Sequence, residues 1–146
     1  TDIEEAFLAY KTERYNIKGK DVVAGNCKYY LNDLSFKNFL YPGFAYGVGY
    51  LLENAVYLEL RRLGYIVYTG SFRDKEVDFV AMKDDRVIYL QATYMLETAQ
   101  TMEREYAPLL TIGANYEKYV VSMDEVQFPS NEGVRHIQAW NLKEIL

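Results

Sequence analysis

The stretch that decides the fold is Lys75-Glu76-Val77-Asp78-Phe79-Val80-Ala81-Met82, then Lys83-Asp84-Asp85-Arg86, then Val87-Ile88-Tyr89-Leu90-Gln91-Ala92-Thr93-Tyr94. It reads as two strands joined by a short polar turn, for which a hairpin is the simplest connection. A period of two puts Val77, Phe79 and Ala81 on one face of the first strand and Glu76, Asp78, Val80 and Met82 on the other. Two carboxylates thus share a face, and Gln91 and Thr93 of the second strand can lie beside them. Polar groups in the middle of so apolar a hairpin need partners or a purpose.

Outward from the hairpin, Phe44 to Leu63 has helical spacing. Val48, Leu51, Leu52, Ala55, Val56, Leu60 and Leu63 form a buried face, Tyr46, Tyr50, Glu53 and Tyr57 a second line, and Gly64 the stop. Tyr65–Thr69 is then a strand leading into the hairpin. Beyond it, Glu97-Thr98 opens a second helix with Ala99, Met102, Tyr106, Leu109 and Leu110 along its stripe and Pro108 near its end. Lys118–Met123 is a strand, and a strand-helix-strand unit of this length implies a parallel crossover next to the hairpin. Val134–Trp140 is a last strand, and Asn141 caps a short terminal helix. The order helix, three strands, helix, strand describes an α/β core around a mixed sheet.

The first 42 residues read as an appendage outside that sheet. Thr1-Asp2 caps a helix carrying Ile3, Phe7, Leu8 and Tyr10 to about Tyr15, Asp21–Cys27 is a polar connection, Lys28–Leu31 a short strand, and Asn32-Asp33 cap a brief helix through Leu34, Phe36 and Leu40. Residues 43–146 form the main domain. The chain has 146 residues, half of them hydrophobic, enough for one such domain with its own core. A formal charge of -5 gives no broad field that attracts nucleic acid, so such contacts would need local patches such as Arg61, Arg62, Arg73 and Lys75. One cysteine, Cys27, excludes an internal disulfide. Without a signal-like or membrane-spanning stretch, the expected location is the cytoplasm, and the start at Thr1 is read as that of a fragment of a longer chain.

Leu52-Glu53-Asn54-Ala55-Val56-Tyr57-Leu58-Glu59-Leu60, Gly64-Tyr65, Lys75-Glu76-Val77-Asp78-Phe79-Val80 and Tyr89-Leu90-Gln91-Ala92-Thr93-Tyr94 together carry a resemblance. They resemble the C-terminal domain of a family of prokaryotic AAA-type ATPases, in which a P-loop module and a winged-helix region precede a domain similar to PD-(D/E)XK nucleases. The likeness extends to Lys28–Leu34 upstream and Lys118-Tyr119-Val120 downstream. It implies a restriction-endonuclease-like core (αβββαβ) and ATP bound only in an N-terminal part of a parent chain; no membrane partner is expected, because the sequence has no spanning stretch.

The resemblance also implies a site. Glu53 would be the helical acid, Asp78 the strand aspartate, and Gln91-Ala92-Thr93 the E-x-K element, with Glu53, Asp78 and Gln91 as ligands of Mg²⁺. An amide replaces the acid and a hydroxyl replaces the lysine, so the metal loses a formal charge and the nucleophile its cation. Glu76 is the candidate substitute acid, and Lys75 or Lys118 the candidate substitute cation. Two readings follow: a catalytically degenerate module that binds DNA or a protein, and a divergent Mg²⁺-dependent nuclease. The bland alternatives are Glu53 hydrogen-bonded to tyrosines, Glu76 and Asp78 as a solvated edge partnered by Lys75 and Arg73, and Glu103-Arg104-Glu105 as a solvated helix face. His136 is the sole histidine and is expected to be structural, Cys27 to be packed, and Gly47-Val48-Gly49 to be helix packing rather than a phosphate loop.

Overall fold

The computed structural model describes residues 2–43, 47–113 and 115–146. Among them the chain runs through α1 (Asp2–Glu5), β1 (Ala9–Asn16), β2 (Asp21–Leu31), α2 (Ser35–Leu40), α3 (Val48–Arg62), β3 (Ile66–Phe72), β4 (Lys75–Lys83), β5 (Arg86–Ala92), α4 (Ala99–Leu110), β6 (Glu117–Ser122), β7 (Val134–Gln138) and a 3-10 helix at Ala139–Glu144. The seven strands form one mixed sheet in the order β2-β1-β3-β4-β5-β6-β7. β3, β4 and β5 form an antiparallel meander, β1 joins it parallel to β3, and β6 and β7 follow in parallel.

The central elements follow their sequence signals. Gly64 ends α3 with φ +90, a left-handed position that glycine adopts without a steric penalty. Thr98 caps α4 by accepting a hydrogen bond from the Thr101 N–H, and α4 carries the chain from β5 into parallel alignment with β6. The start at Phe44 and the Tyr46 position on the helix line fall outside the described residues.

The N-terminal region corrects two expectations. Only Asp2–Glu5 is helical, and Ala9–Asn16, expected as helix, is a strand. Asp21–Cys27, expected as a connection, belongs to β2. Residues 9–31 therefore add two strands to the sheet instead of forming an appendage. Pairing with β2 along its length and with β3 at Arg14–Asn16 satisfies much of the β1 backbone, which outweighs a weak helical spacing. In β2 the register slips between Lys28, paired with Thr12, and Val23, paired with Arg14, so Ala24–Cys27 bulges out of the outermost strand.

A second bulge corrects the faces of β4. Gly70 pairs with Val77 and Tyr68 with Val80, so Thr69 alone stands opposite both Asp78 and Phe79. The extra residue resets the alternation. Val77 packs with Val80 in the α4 layer, while Phe79 and Ala81 pack in the α3 layer. A single-period reading had kept Val77 with Phe79. The sheet leaves no room for a side chain at Gly70, where an added Cβ would stand 2.8 Å from Val80 Cγ2, 3.0 Å from Ile17 Cδ1 and 3.1 Å from Val77 Cβ.

The sheet separates two apolar layers. On one side Leu52, Val56, Tyr57 and Leu60 of α3 meet Tyr30, Phe79, Ile88, Leu90 and Tyr119, with Leu142 of the 3-10 helix closing the edge. Tyr30 and Tyr57 stack with centroids 4.2 Å apart. On the other, Tyr106, Leu109 and Ile112 cover Val77, Val80, Tyr89, Val120 and Val134. This packing fixes α3 against the ends of β2 and β4.

Candidate functional site

Glu53 projects from α3 where β2 and β4 pass beneath it, and the carboxylates predicted from sequence do converge there. The group that joins them is Lys28 of β2. Its Nζ lies 3.1 Å from Glu53 Oε1, 2.9 Å from Glu76 Oε1 and 3.7 Å from Asp78 Oδ1. Tyr30, two residues along the same strand, donates its hydroxyl hydrogen to Glu53 at 2.7 Å. Arg14 of β1 adds a second cation, 2.8 Å from Glu76 Oε2. Glu53 is thus held by one tyrosine and one lysine. Glu76 and Asp78 are partnered by Lys28 and Arg14, correcting the expected pairing with Lys75 and Arg73. The Arg73 guanidinium instead lies over the Phe72 ring.

Two hydrogen bonds from side chains replace the sheet ladder at this point. β4 and β5 pair from Lys83 and Arg86 as far as Phe79 and Leu90, and there the ladder ends. Gln91 Oε1 accepts the Asp78 N–H at 3.1 Å, and Asp78 Oδ2 accepts the Ala92 N–H at 2.9 Å. Gln91 therefore does sit against Asp78, but with its oxygen committed to the backbone. Thr93 is buried and its N–H bonds to the Val121 carbonyl, so it extends the β5 and β6 pairing. Lys118 is no substitute cation, since its Nζ donates to the Ile112 carbonyl at 3.1 Å.

Burial and charge set the protonation. Burial pushes the Asp78 carboxyl up to about 7, with the Glu53 charge adding to it and the Ala92 N–H and Lys28 opposing. Burial alone pulls the Lys28 ammonium down, but Glu53, Glu76 and Asp78 outweigh it and hold the group above its ordinary value. For Glu76 burial is likewise outweighed, by Lys28 and Arg14, and the carboxyl falls below its usual range. Burial and then Glu53 raise the Tyr30 phenol, which stays a hydrogen donor.

These residues do not fit a Mg²⁺ ion. Octahedral Mg²⁺ needs free carboxylate oxygens about 2.1 Å away. Here an ammonium already faces all three acids, one Asp78 oxygen is held by Ala92, and the Gln91 oxygen is held by Asp78. Among the described residues no group of three His, Cys, Asp or Glu side chains is arranged to hold a metal ion.

A second polar cluster lies at the ends of β6 and β7. Ser122 Oγ is 2.8 Å from His136 Nε2 and 2.6 Å from Asp124 Oδ2, and all three residues are buried. The composition is that of a hydrolytic triad, but the hydrogen bonds run the other way. His136 Nδ1 accepts the Phe128 N–H, so Nε2 carries the proton and donates it to Ser122, whose own hydrogen goes to Asp124. With no lone pair facing the hydroxyl, His136 cannot act on it as a base. Asp124 also accepts the Leu96 N–H at 2.8 Å, so the cluster pins the loop after β5 to the strand ends. This agrees with the structural role expected of His136.

Of the basic positions singled out in the sequence, Arg62 pairs with Glu59 at 2.6 Å and Arg61 lies over the Tyr10 ring. Cys27 is half-buried in the β2 bulge. The Glu103-Arg104-Glu105 segment is only partly a solvated face, because Glu105 is buried and ion-paired with Arg104 at 2.7 Å. No described helix is long and apolar enough to cross a membrane.

Lys28 is what sequence reasoning missed. Its signal was the alternation of Lys28 and Tyr30, which puts an ammonium and a phenol on one face of a strand. Only the folded hairpin reveals that Glu53 lies above that face.

The chain is similar to an uncharacterised protein of Haemophilus influenzae, with 35% identity over 120 residues. That alignment covers 82% of this chain and 29% of the relative. No protein-family model and no solved structure matches the chain.

Proposed function

We propose that this chain is a nuclease-like module that does not cut, the C-terminal domain of an AAA-type ATPase with a restriction-endonuclease-like core, and that it acts by binding a protein partner. The observation that carries the reading is Lys28, whose ammonium lies among Glu53, Glu76 and Asp78 where cleavage would need open ligands. Gln91 and Thr93 in place of the acid and lysine point the same way. The match to 29% of a longer relative leaves room for nucleotide-binding domains in a parent chain.

A protein partner is favoured over DNA by α2. This helix buries Lys37 and turns Phe36, Phe39 and Leu40 outward, with Phe39 83% exposed and Tyr41 exposed just beyond it. An inverted helix of this kind marks a contact face. Arg61, Arg62 and Arg73, by contrast, are stacked or paired, and the net charge is -5.

The test is a pair of assays with purified protein. Labelled duplex DNA with millimolar Mg²⁺ or Mn²⁺ is expected to remain intact and to be retained weakly. Metal-dependent cleavage lost in Asp78→Asn would overturn the reading. Tight retention that falls steeply with salt would replace the protein partner with nucleic acid.

A second reading, a divergent nuclease, is favoured by one observation. Burial raises the Asp78 carboxyl to about 7, which suits that group to accept or release a proton at neutral pH. The cleavage assay separates the two.

A further inference from the structure

The Lys28 side chain is the cation of the Glu53, Glu76 and Asp78 site, and we infer that it excludes divalent metal from a position the three acids would otherwise fill. This inference rests on the non-cleaving reading above and deepens it.

Three carboxylates on two elements, one on α3 and two on β4, do not converge without a cation between them, because their mutual repulsion would turn the flexible glutamates outward. Here the cation is covalently part of the chain. Lys28 is delivered by the outer strand of the β1–β2 hairpin, and its register is fixed from α3. Asn54, next to Glu53, accepts the Leu31 N–H at 2.8 Å and donates to the Leu31 carbonyl at 2.9 Å, so the strand is tied to the helix one residue from the glutamate and three residues from the lysine. Tyr30, on the same strand face, orients the shared Glu53 oxygen.

The spacing explains why metal and lysine are alternatives. The Nζ contacts of 2.9, 3.1 and 3.7 Å are hydrogen-bond distances. A Mn²⁺ or Ca²⁺ ion would need its oxygens about 2.2–2.5 Å away, a contraction the two glutamate side chains can make only if the ammonium leaves. A second cation brought in beside Lys28 would meet its charge at short range. With Lys28 gone, Arg14 on Glu76 is the one cation still ion-paired with the three carboxylates among the described residues, and a divalent ion would restore most of the balance.

The experiment compares wild type with Lys28→Met, Lys28→Gln and the double variant Lys28→Met/Asp78→Asn. Mn²⁺ binding is followed by the loss of its free paramagnetic resonance signal, and Tm is measured with and without millimolar Mn²⁺. Wild type is expected to leave Mn²⁺ free and to keep its Tm. Lys28→Met is expected to lose Tm without metal, to regain it with metal, and to bind Mn²⁺ at least about tenfold more tightly than wild type. The double variant is expected to lose that gain.

Equal Mn²⁺ binding by wild type and Lys28→Met would overturn the inference, as would no binding by a folded Lys28→Met. If Lys28→Met does not fold even with Mn²⁺, Lys28→Gln decides by the same two criteria, and failure of both to fold with Mn²⁺ present overturns the idea that a metal can take the lysine's place. DNA cleavage by wild type would instead remove the functional reading, so the two failures are distinguishable.

Discussion

Asn54→Leu tests how the site is assembled. Asn54 is fully buried, and its amide pairs with both backbone groups of Leu31, on the side of β2 that no other strand covers. Leucine fills nearly the same volume but leaves the Leu31 N–H and C=O without partners. Each orphaned group costs about 1–3 kcal/mol, and because Leu31 is only half-buried the lower part of that range applies, giving a loss of about 2–4 kcal/mol for the pair. For a chain of this length that lowers Tm by about 6–12 °C. Urea unfolding followed by circular dichroism should show the drop in midpoint with an unchanged slope, and hydrogen exchange should show the Leu31 amide losing protection. A loss under about 0.5 kcal/mol, or a Leu31 amide that stays protected, would refute the claim that this amide anchors the β2 register.

Three further outcomes are expected. Gly70→Ala forces a methyl against Val80, Ile17 and the stiff Val77 Cβ, so it should cost about 1–3 kcal/mol in the same urea assay, and a neutral result would show that this crossing can relax. Asp78→Asn should match wild type in Tm near pH 4 and exceed it by several degrees at pH 8. The reason is the sign of the shift: an acid raised to about 7 in the fold stabilises it fully below its unfolded value of about 4, and that contribution is lost as the pH climbs to 7. A gap that widens toward low pH would contradict this. Ser122→Ala should cost about 1–3 kcal/mol by leaving the His136 Nε2–H and Asp124 facing a methyl, with no ester-hydrolysing activity to lose in wild type, and measurable serine-dependent hydrolysis would refute the hydrogen-bond directions given for the cluster.

The central elements were legible because their signals are local. Val48–Leu63 carries helical spacing closed by Gly64, and the Lys83–Arg86 turn separates two apolar runs. The outer strands were not. β2 lies at the rim with most of Asp21–Asn26 exposed, so no alternation of apolar and polar residues marks it. Around the start of β1, Phe7, Leu8 and Tyr10 fall at helical intervals by chance, and the β3 residues that pair with Arg14–Asn16 and bring the hairpin into the sheet are more than fifty residues away.

At the site, Glu53, Glu76, Asp78 and Gln91 were all named from sequence and all come together. Their purpose was harder to read, because the group that joins them lies on a strand whose face is defined only after the hairpin forms. The β4 bulge was invisible for a related reason. A one-residue slip leaves no mark in a run such as Val77–Val80, where either face can be apolar.

The Ala24–Cys27 bulge has a consequence for behaviour at high concentration. β2 forms the outer border of the sheet, and a straight border of eleven residues would offer another polypeptide a long row of vacant amides and carbonyls. The bulge divides that border into Asp21–Val23 and Lys28–Leu31, too short and too far out of line to template an eighth strand, while the Asn54 amide already occupies the last of its open groups. Straightening it by deleting three of those four residues, so that the one left pairs with Glu13, would give the molecule a continuous adhesive margin, and fibrous self-association would be the expected result.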